Sequence, residues 1–208
     1  SLKQAAEFFK QAIEKDPNYA LAYAGLAETY VLFSQYNVAS SKDSMPQAKA
    51  AALKALELDD SLAAPHAALQ SYFTFYEFDR VAGEKEIRRA IELDPNYATA
   101  HHWLGGDVLY PTKRFDEALA ALRRAEELDP LSPIIGTNLG DVLLYAGRYD
   151  EAITTLNYVA NAQDKRVLNY LGYSYRKSGH IDVGLTYYKQ ALAIDPDYTL
   201  VREYLGEA

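Results

Sequence analysis

Residues 167–196 read VLNYLGYSYRKSGHIDVGLTYYKQALAIDP, and the spacing of their apolar and small side chains decides the fold. Leu168, Leu171, Gly172 and Tyr175 recur at i, i+3, i+4 and i+7, which places them on one stripe of an α-helix, helix A of a repeating unit. After a turn around Ser178 and Gly179, the residues Gly184, Tyr188 and Ala191 form a second stripe at helical spacing, helix B, closed by Asp195 and Pro196. Proline breaks a helix interior and holds the residue before it away from helical angles, so Asp-Pro ends one unit and opens the link to the next. Gly172 and Gly184 allow the two helices to approach closely, while Tyr175 and Tyr188 fill the space beside them.

The same unit recurs in both directions. FFKQAIEKDP, EIRRAIELDP and ALRRAEELDP end as YYKQALAIDP does, and DPNYA occurs at 16–20 and again at 94–98. A leucine followed by glycine stands at Leu104, Leu139, Leu171 and Leu205, at intervals of 35, 32 and 34 residues. Leu69 lies 35 residues before Leu104, and Leu26 another 43 before that. A fixed period near 34 residues marks a solenoid of identical supersecondary units.

These landmarks resemble the tetratricopeptide repeat: a Leu-Gly pair, an aromatic three residues on, a small residue opening helix B, then alanine and a terminal proline. The resemblance implies an all-α fold, a right-handed α-solenoid of tandem helix-turn-helix repeats. In that frame a half repeat, helix B only, occupies 1–19, complete repeats occupy 20–62, 63–97, 98–132, 133–164 and 165–198, and 199–208 begins a truncated repeat. Three departures bear on geometry. Asp60 stands where proline is expected, and NAQDKR at 161–166 replaces the Asp-Pro ending of the fourth repeat. The insertion FSQYNVASSKDSMPQ at 33–47 reads as a surface loop, with helix B restarting at a capping box of Ser44 and Gln47 and Pro46 in its first turn. The incomplete ends point to a longer parent protein and to self-association through uncapped solenoid ends.

Composition narrows the partners. With 208 residues, 49% hydrophobic and 24% charged, the chain can bury a core, and its net charge of −8 repels nucleic acid and anionic lipid. No apolar run reaches the roughly 20 residues that span a bilayer, so no membrane insertion is expected. The absence of cysteine excludes disulfides and thiolate chemistry and is compatible with cytoplasm and periplasm alike, the cytoplasm being the expected compartment.

The pair His101-His102 beside Trp103 suggests a metal or catalytic site, but the repeat frame gives it another role. His101 stands three residues before Leu104, as His66 stands three before Leu69, so both belong to the packed stripe. His102 is turned about 100° from His101 on a helix, which keeps the two rings from converging on one ion. No HExxH, phosphate loop, GxGxxG or GxSxG accompanies them. No cofactor, metal or catalytic residue is expected, and the chain reads as non-enzymatic.

A surface remains. A second i, i+4, i+7 register on each helix A should line the solenoid's concave groove, where the resembled family binds peptides or helices. It comprises Ala24, Glu28 and Val31; Ala67, Ser71 and Thr74; His102, Gly106 and Leu109; Thr137, Asp141 and Leu144; and Asn169, Tyr173 and Arg176. The candidate partner-binding residues are Glu28, Ser71, Thr74, His102, Asp141, Asn169, Tyr173 and Arg176. Asn169, Tyr173 and Arg176, beside Arg166 and Lys177, suit an acidic side chain or a terminal carboxylate. The expected function is a non-catalytic scaffold binding a protein or peptide segment. The alternative is a small-ligand sensor arm that couples solenoid curvature to an attached effector. ALAYAGLAETY, AAALKALELD and NYATAHHWLG further resemble the arrays of bacterial signalling proteins that carry a kinase, cyclase or winged-helix domain.

Overall fold

Helices alternate with short links throughout the computed structural model, which describes residues 1–159 and 164–206. One unit, residues 1–108, contains α1 (Leu2–Lys15), α2 (Ala20–Gln35), α3 (Ser41–Leu58), α4 (Ala63–Phe75), α5 (Arg80–Leu93) and α6 (Ala98–Trp103). The other, residues 109–208, contains α7 (Phe115–Leu128), α8 (Pro133–Tyr145), α9 (Tyr149–Val159), α10 (Lys165–Lys177), α11 (Ile181–Ile194) and α12 (Thr199–Gly206). No strand occurs among the described residues. Helices pack as sequential pairs, α2 with α3 and α4 with α5 in the first unit, α8 with α9 and α10 with α11 in the second. Each unit is thus an α-solenoid of helix-turn-helix repeats.

Small residues set the closeness of the pairs. The Gly184 position faces the Gly172 carbonyl, and a Cβ there would lie 2.6 Å from that oxygen. Gly140 sits against Leu156, Gly83 against Thr74, and Gly25 against the Phe9 ring, which seats α1 on α2. Alanine fills the other close approaches, with Ala27, Ala52, Ala68 and Ala90 fully buried in the first unit and Ala118, Ala125, Ala152 and Ala191 in the second.

The links turn on their aspartates. Asp16, Asp94 and Asp195 each accept from the backbone N–H two residues on, at 3.0, 2.9 and 3.1 Å. Asp59 does the same with Ser61 at 3.0 Å, so the link in which Asp60 replaces proline keeps the geometry of the others. The side-chain turn fixes the backbone, and proline only reinforces it. Of NAQDKR, the residues Asn161, Ala162 and Gln163 lie outside the described residues, as do Glu207 and Ala208. Asp164 caps α10 by accepting from the Arg166 N–H at 2.8 Å.

Two expectations are corrected. The insertion is absorbed by helix rather than loop: α2 runs to Gln35, and α3 starts at Ser41 with Ser40 as its cap, accepting from the Asp43 N–H at 3.2 Å. Ser44 and Gln47 form no capping box. Ser44 donates back to the Ser40 carbonyl and Gln47 to the Asp43 carbonyl, so Pro46 falls beyond the first turn, inside the helix. Ser40 with Asp43 offered a competing cap four residues earlier, and it gains the additional turn. The second correction concerns helix A of the third repeat. It is α-helical only to Trp103; Leu104–Leu109 is π-helical and Tyr110–Thr112 a 3-10 turn. Gly105 and Gly106 disfavour the α-helix and have no side chains to resist the wider turn.

Candidate functional site

The A helices of the second unit, α8, α10 and α12, carry tyrosines at successive levels. Tyr110, Tyr145 and Tyr170 stand near Asp141 of α8: the Tyr110 and Tyr170 hydroxyls draw its carboxyl down, and the Tyr110 ring lies 5.6 Å from that of Tyr145, which is 57% exposed. Burial pushes the Asp141 carboxyl up to about 6, against the opposing pull of the two hydroxyls. Its Oδ1 is buried and has no hydrogen-bond partner, and among the described residues no basic side chain pairs with it. Burial raises the Tyr110 and Tyr170 phenols as well, with the Asp141 charge adding to the effect, so both remain protonated donors.

Farther along, Tyr173 and Tyr204 stand 5.1 Å apart, with the Arg176 guanidinium 5.3 Å from the first ring and 5.7 Å from the second. Lys177 Nζ lies 5.3 Å from the Tyr173 ring. Arg176 is therefore already engaged by aromatic faces. Arg166, expected to add to a carboxylate site, is paired with Asp164 at 2.9 Å. Asn169 is buried near Tyr198, and its Oδ1 has no hydrogen-bond partner. The structure thus gathers Asp141, Asn169, Tyr173 and Arg176 onto the A helices of one unit, joined by five tyrosines the register did not include: Tyr110, Tyr145, Tyr170, Tyr198 and Tyr204. Tyr145 was within reach of the sequence, four residues after Asp141 on the same helix. Tyr110 was not, because it follows the π-helical turn.

In the first unit the candidates are internal. Glu28 is largely buried and accepts a short hydrogen bond from the Tyr97 hydroxyl, and burial raises its carboxyl. Ser71 is fully buried against Gln70, and Thr74 lies at Gly83 where α4 meets α5. His102 is 8% exposed, and burial depresses its imidazole to about 4, so it is neutral near pH 7. Ala24, Val31 and Ala67 of the same register are likewise buried. The roles of the two histidines are therefore exchanged: His101, placed in the packed stripe, is the more exposed and reaches the Pro95 carbonyl at 3.0 Å. His66 does pack, pairing with Glu86 of α5 at 2.6 Å. No group of metal-ligating side chains occurs among the described residues, and none of their helices is long and apolar enough to cross a membrane.

Comparison with known proteins agrees with this architecture. Models of the tetratricopeptide repeat match residues 8–39, 82–133, 109–171 and 165–198. The transcriptional regulator HilA of Salmonella typhimurium is 28% identical over 153 residues, covering 74% of this chain and 27% of HilA, so the chain spans about a quarter of that relative's length. Among solved structures, YrrB, described as a TPR protein with an unusual peptide-binding site, superposes with a TM-score of 0.71 at 25% identity over 97% of this chain and 99% of its own. The Cut9 and Hcn1 assembly superposes with a TM-score of 0.80 at 19% identity over all of this chain and 39% of that one, and the pilus biogenesis factor PilW with 0.74 at 18% over 98% and 90%.

Proposed function

The chain belongs to the tetratricopeptide repeat family, a family of protein-interaction scaffolds, and from that premise we propose that it binds an extended protein or peptide segment along the tyrosine-lined A helices of its second unit. The observation that supports this is the grouping of Tyr110, Tyr145, Tyr170 and Tyr173 around polar side chains on α8 and α10. Tyrosine presents a large rigid ring and one hydrogen-bonding tip at low entropic cost, the composition that interfaces favour. The first unit offers no such surface at the equivalent register, where Glu28 is tied to Tyr97 and Ser71 is covered. YrrB, a structural relative of similar length, is described by its peptide-binding site.

The matched region of HilA is part of a transcriptional regulator. On that basis the array serves as the partner-recruiting arm of a larger regulatory protein, and any chemistry lies outside it. Affinity capture with the full-length protein tests the reading. Tyr173→Ala and Arg176→Ala should each deplete the same partner, whereas recovery indifferent to both places the interaction elsewhere.

A further inference from the structure

We infer that Phe78 of one copy of the chain docks in a hollow of a second copy, where Arg80 beside it meets Asp94. Knob and hollow both belong to the first unit, apart from the tyrosine-lined helices, so the contact goes beyond the proposed function. Each repeat turns from its helix A into its helix B through one residue of positive φ: Asn37, Phe78, Lys113, Gly147 and Gly179. Asparagine and glycine suit that conformation, whereas an aromatic residue is strained in it. Phe78 stands there with 81% of its surface exposed, so burial does little to offset the strain. Its neighbours break local rules as well. Arg80 sets a positive charge on the first residue of α5, where the helix dipole disfavours it, and Val81 is 82% exposed. Adjacent choices that cost the fold without serving it mark a surface kept for binding.

The same unit offers the matching occupant. A hollow of about 300 Å³, open to solvent, is lined by Leu21 and Ala24 of α2, Leu62 and Ala64 at the start of α4, and Asp94 and Tyr97 of the link after α5. The two alanines leave space for one aromatic side chain. The Tyr97 hydroxyl is engaged by Glu28, and that of Ser61, also at the wall, by Asp59. The charged group at the rim is the exposed Asp94 carboxylate. An apolar ring followed two residues later by a cation complements an apolar floor edged by a carboxylate. The net charge of −8 holds copies apart in general and disfavours an anionic lipid surface; Arg80 meeting Asp94 reverses that repulsion locally.

Sedimentation equilibrium of the full chain over a concentration series tests the contact. The mass should rise above that of the monomer, and Phe78→Gly should weaken association by at least about tenfold while the fold stays as stable or more so. Ala64→Phe, which fills the hollow, should do the same. An equimolar mixture of the two folded variants should associate again, because one retains the hollow and the other the knob. Should Ala64→Phe fail to fold, Asp94→Asn takes its place: it keeps the acceptor of the turn, loses the charge and, like Arg80→Gln, should weaken association about two- to fivefold. A parent chain still monomeric at about 1 mM would overturn the contact. So would association undiminished by Phe78→Gly, as contact through the ends of the solenoid would give, or a mixture of folded variants no more associated than its components.

Discussion

A Cβ built on Gly172 would fall 2.5 Å from Cδ1 of Tyr188, so the largest fully buried side chain of the chain lies directly across the missing side chain of its partner helix. The paired sizes explain why α10 and α11 meet as closely as they do. The opposing glycine faces a harder wall, since a Cβ on Gly184 would meet the Gly172 carbonyl and the Arg176 backbone rather than a movable side chain. Gly184→Ala should therefore cost about 1–3 kcal/mol, more than its gain in helix propensity. Thermal unfolding followed by circular dichroism measures the loss, and an unchanged midpoint would mean that the helices separate at little cost.

The position of the cap on α3 yields a second prediction. Ser40→Ala should lower stability by about 1 kcal/mol, because the Asp43 N–H loses its side-chain acceptor and keeps only the Ser40 carbonyl at 3.1 Å, while Ser44→Ala removes only a bond to a carbonyl and should change it less. The opposite order would return the start of α3 to Ser44.

Phe78 leads to a third. Its φ is 59°, in the left-handed region, and 81% of its surface is exposed. At comparable turns of the second unit Gly147 and Gly179 hold φ of 76° and 92° without strain. Phe78→Gly should raise stability by about 1 kcal/mol in equilibrium unfolding. A loss instead would show that the ring packs against something in solution.

Buried titrating groups set the response to pH. Burial pushes Asp107 up to about 7 and, chiefly by the same cause, Asp141 up to about 6. For both, the folded chain holds a proton to higher pH than the unfolded one, so their stabilising contribution is complete below about 4 and is lost as pH rises through 6 and 7. His102, depressed to about 4, acts in the opposite sense: its contribution is complete above about 6.5 and is lost as pH falls through 4. Asp107→Asn should therefore be more stable than the parent at pH 8, with an advantage that fades toward pH 4. Trp103, the sole tryptophan and 8% exposed, lies four residues away and reports the unfolding of its unit by fluorescence. An Asn variant with no advantage at pH 8 would show that the Asp107 carboxylate is well solvated when folded.

What the sequence disclosed was whatever depends on period. Leu104, Leu139, Leu171 and the Asp-Pro links placed the helices because packing stripes and breakers recur at fixed intervals. Spacing does not register competition between near-equal local choices, such as Ser40 against Ser44 as a cap, or α against π winding at Gly105 and Gly106. The register of the candidate site was visible, but its burial was not. Whether Ser71 or Tyr173 meets solvent depends on the bulk that the neighbouring repeats place beside it, and a one-dimensional period carries no such information.

The lengthening of α2 and α3 alters the outline of the first unit. At 16 residues α2 exceeds the 13 of α4 by three, about 4.5 Å of additional rise, so the bend at 36–40 is carried outward as a stiff spur with Tyr36 at its tip, 62% exposed. Extra sequence spent on rigid rods rather than slack chain gives a protease little to grip and a neighbouring molecule a fixed ledge to meet.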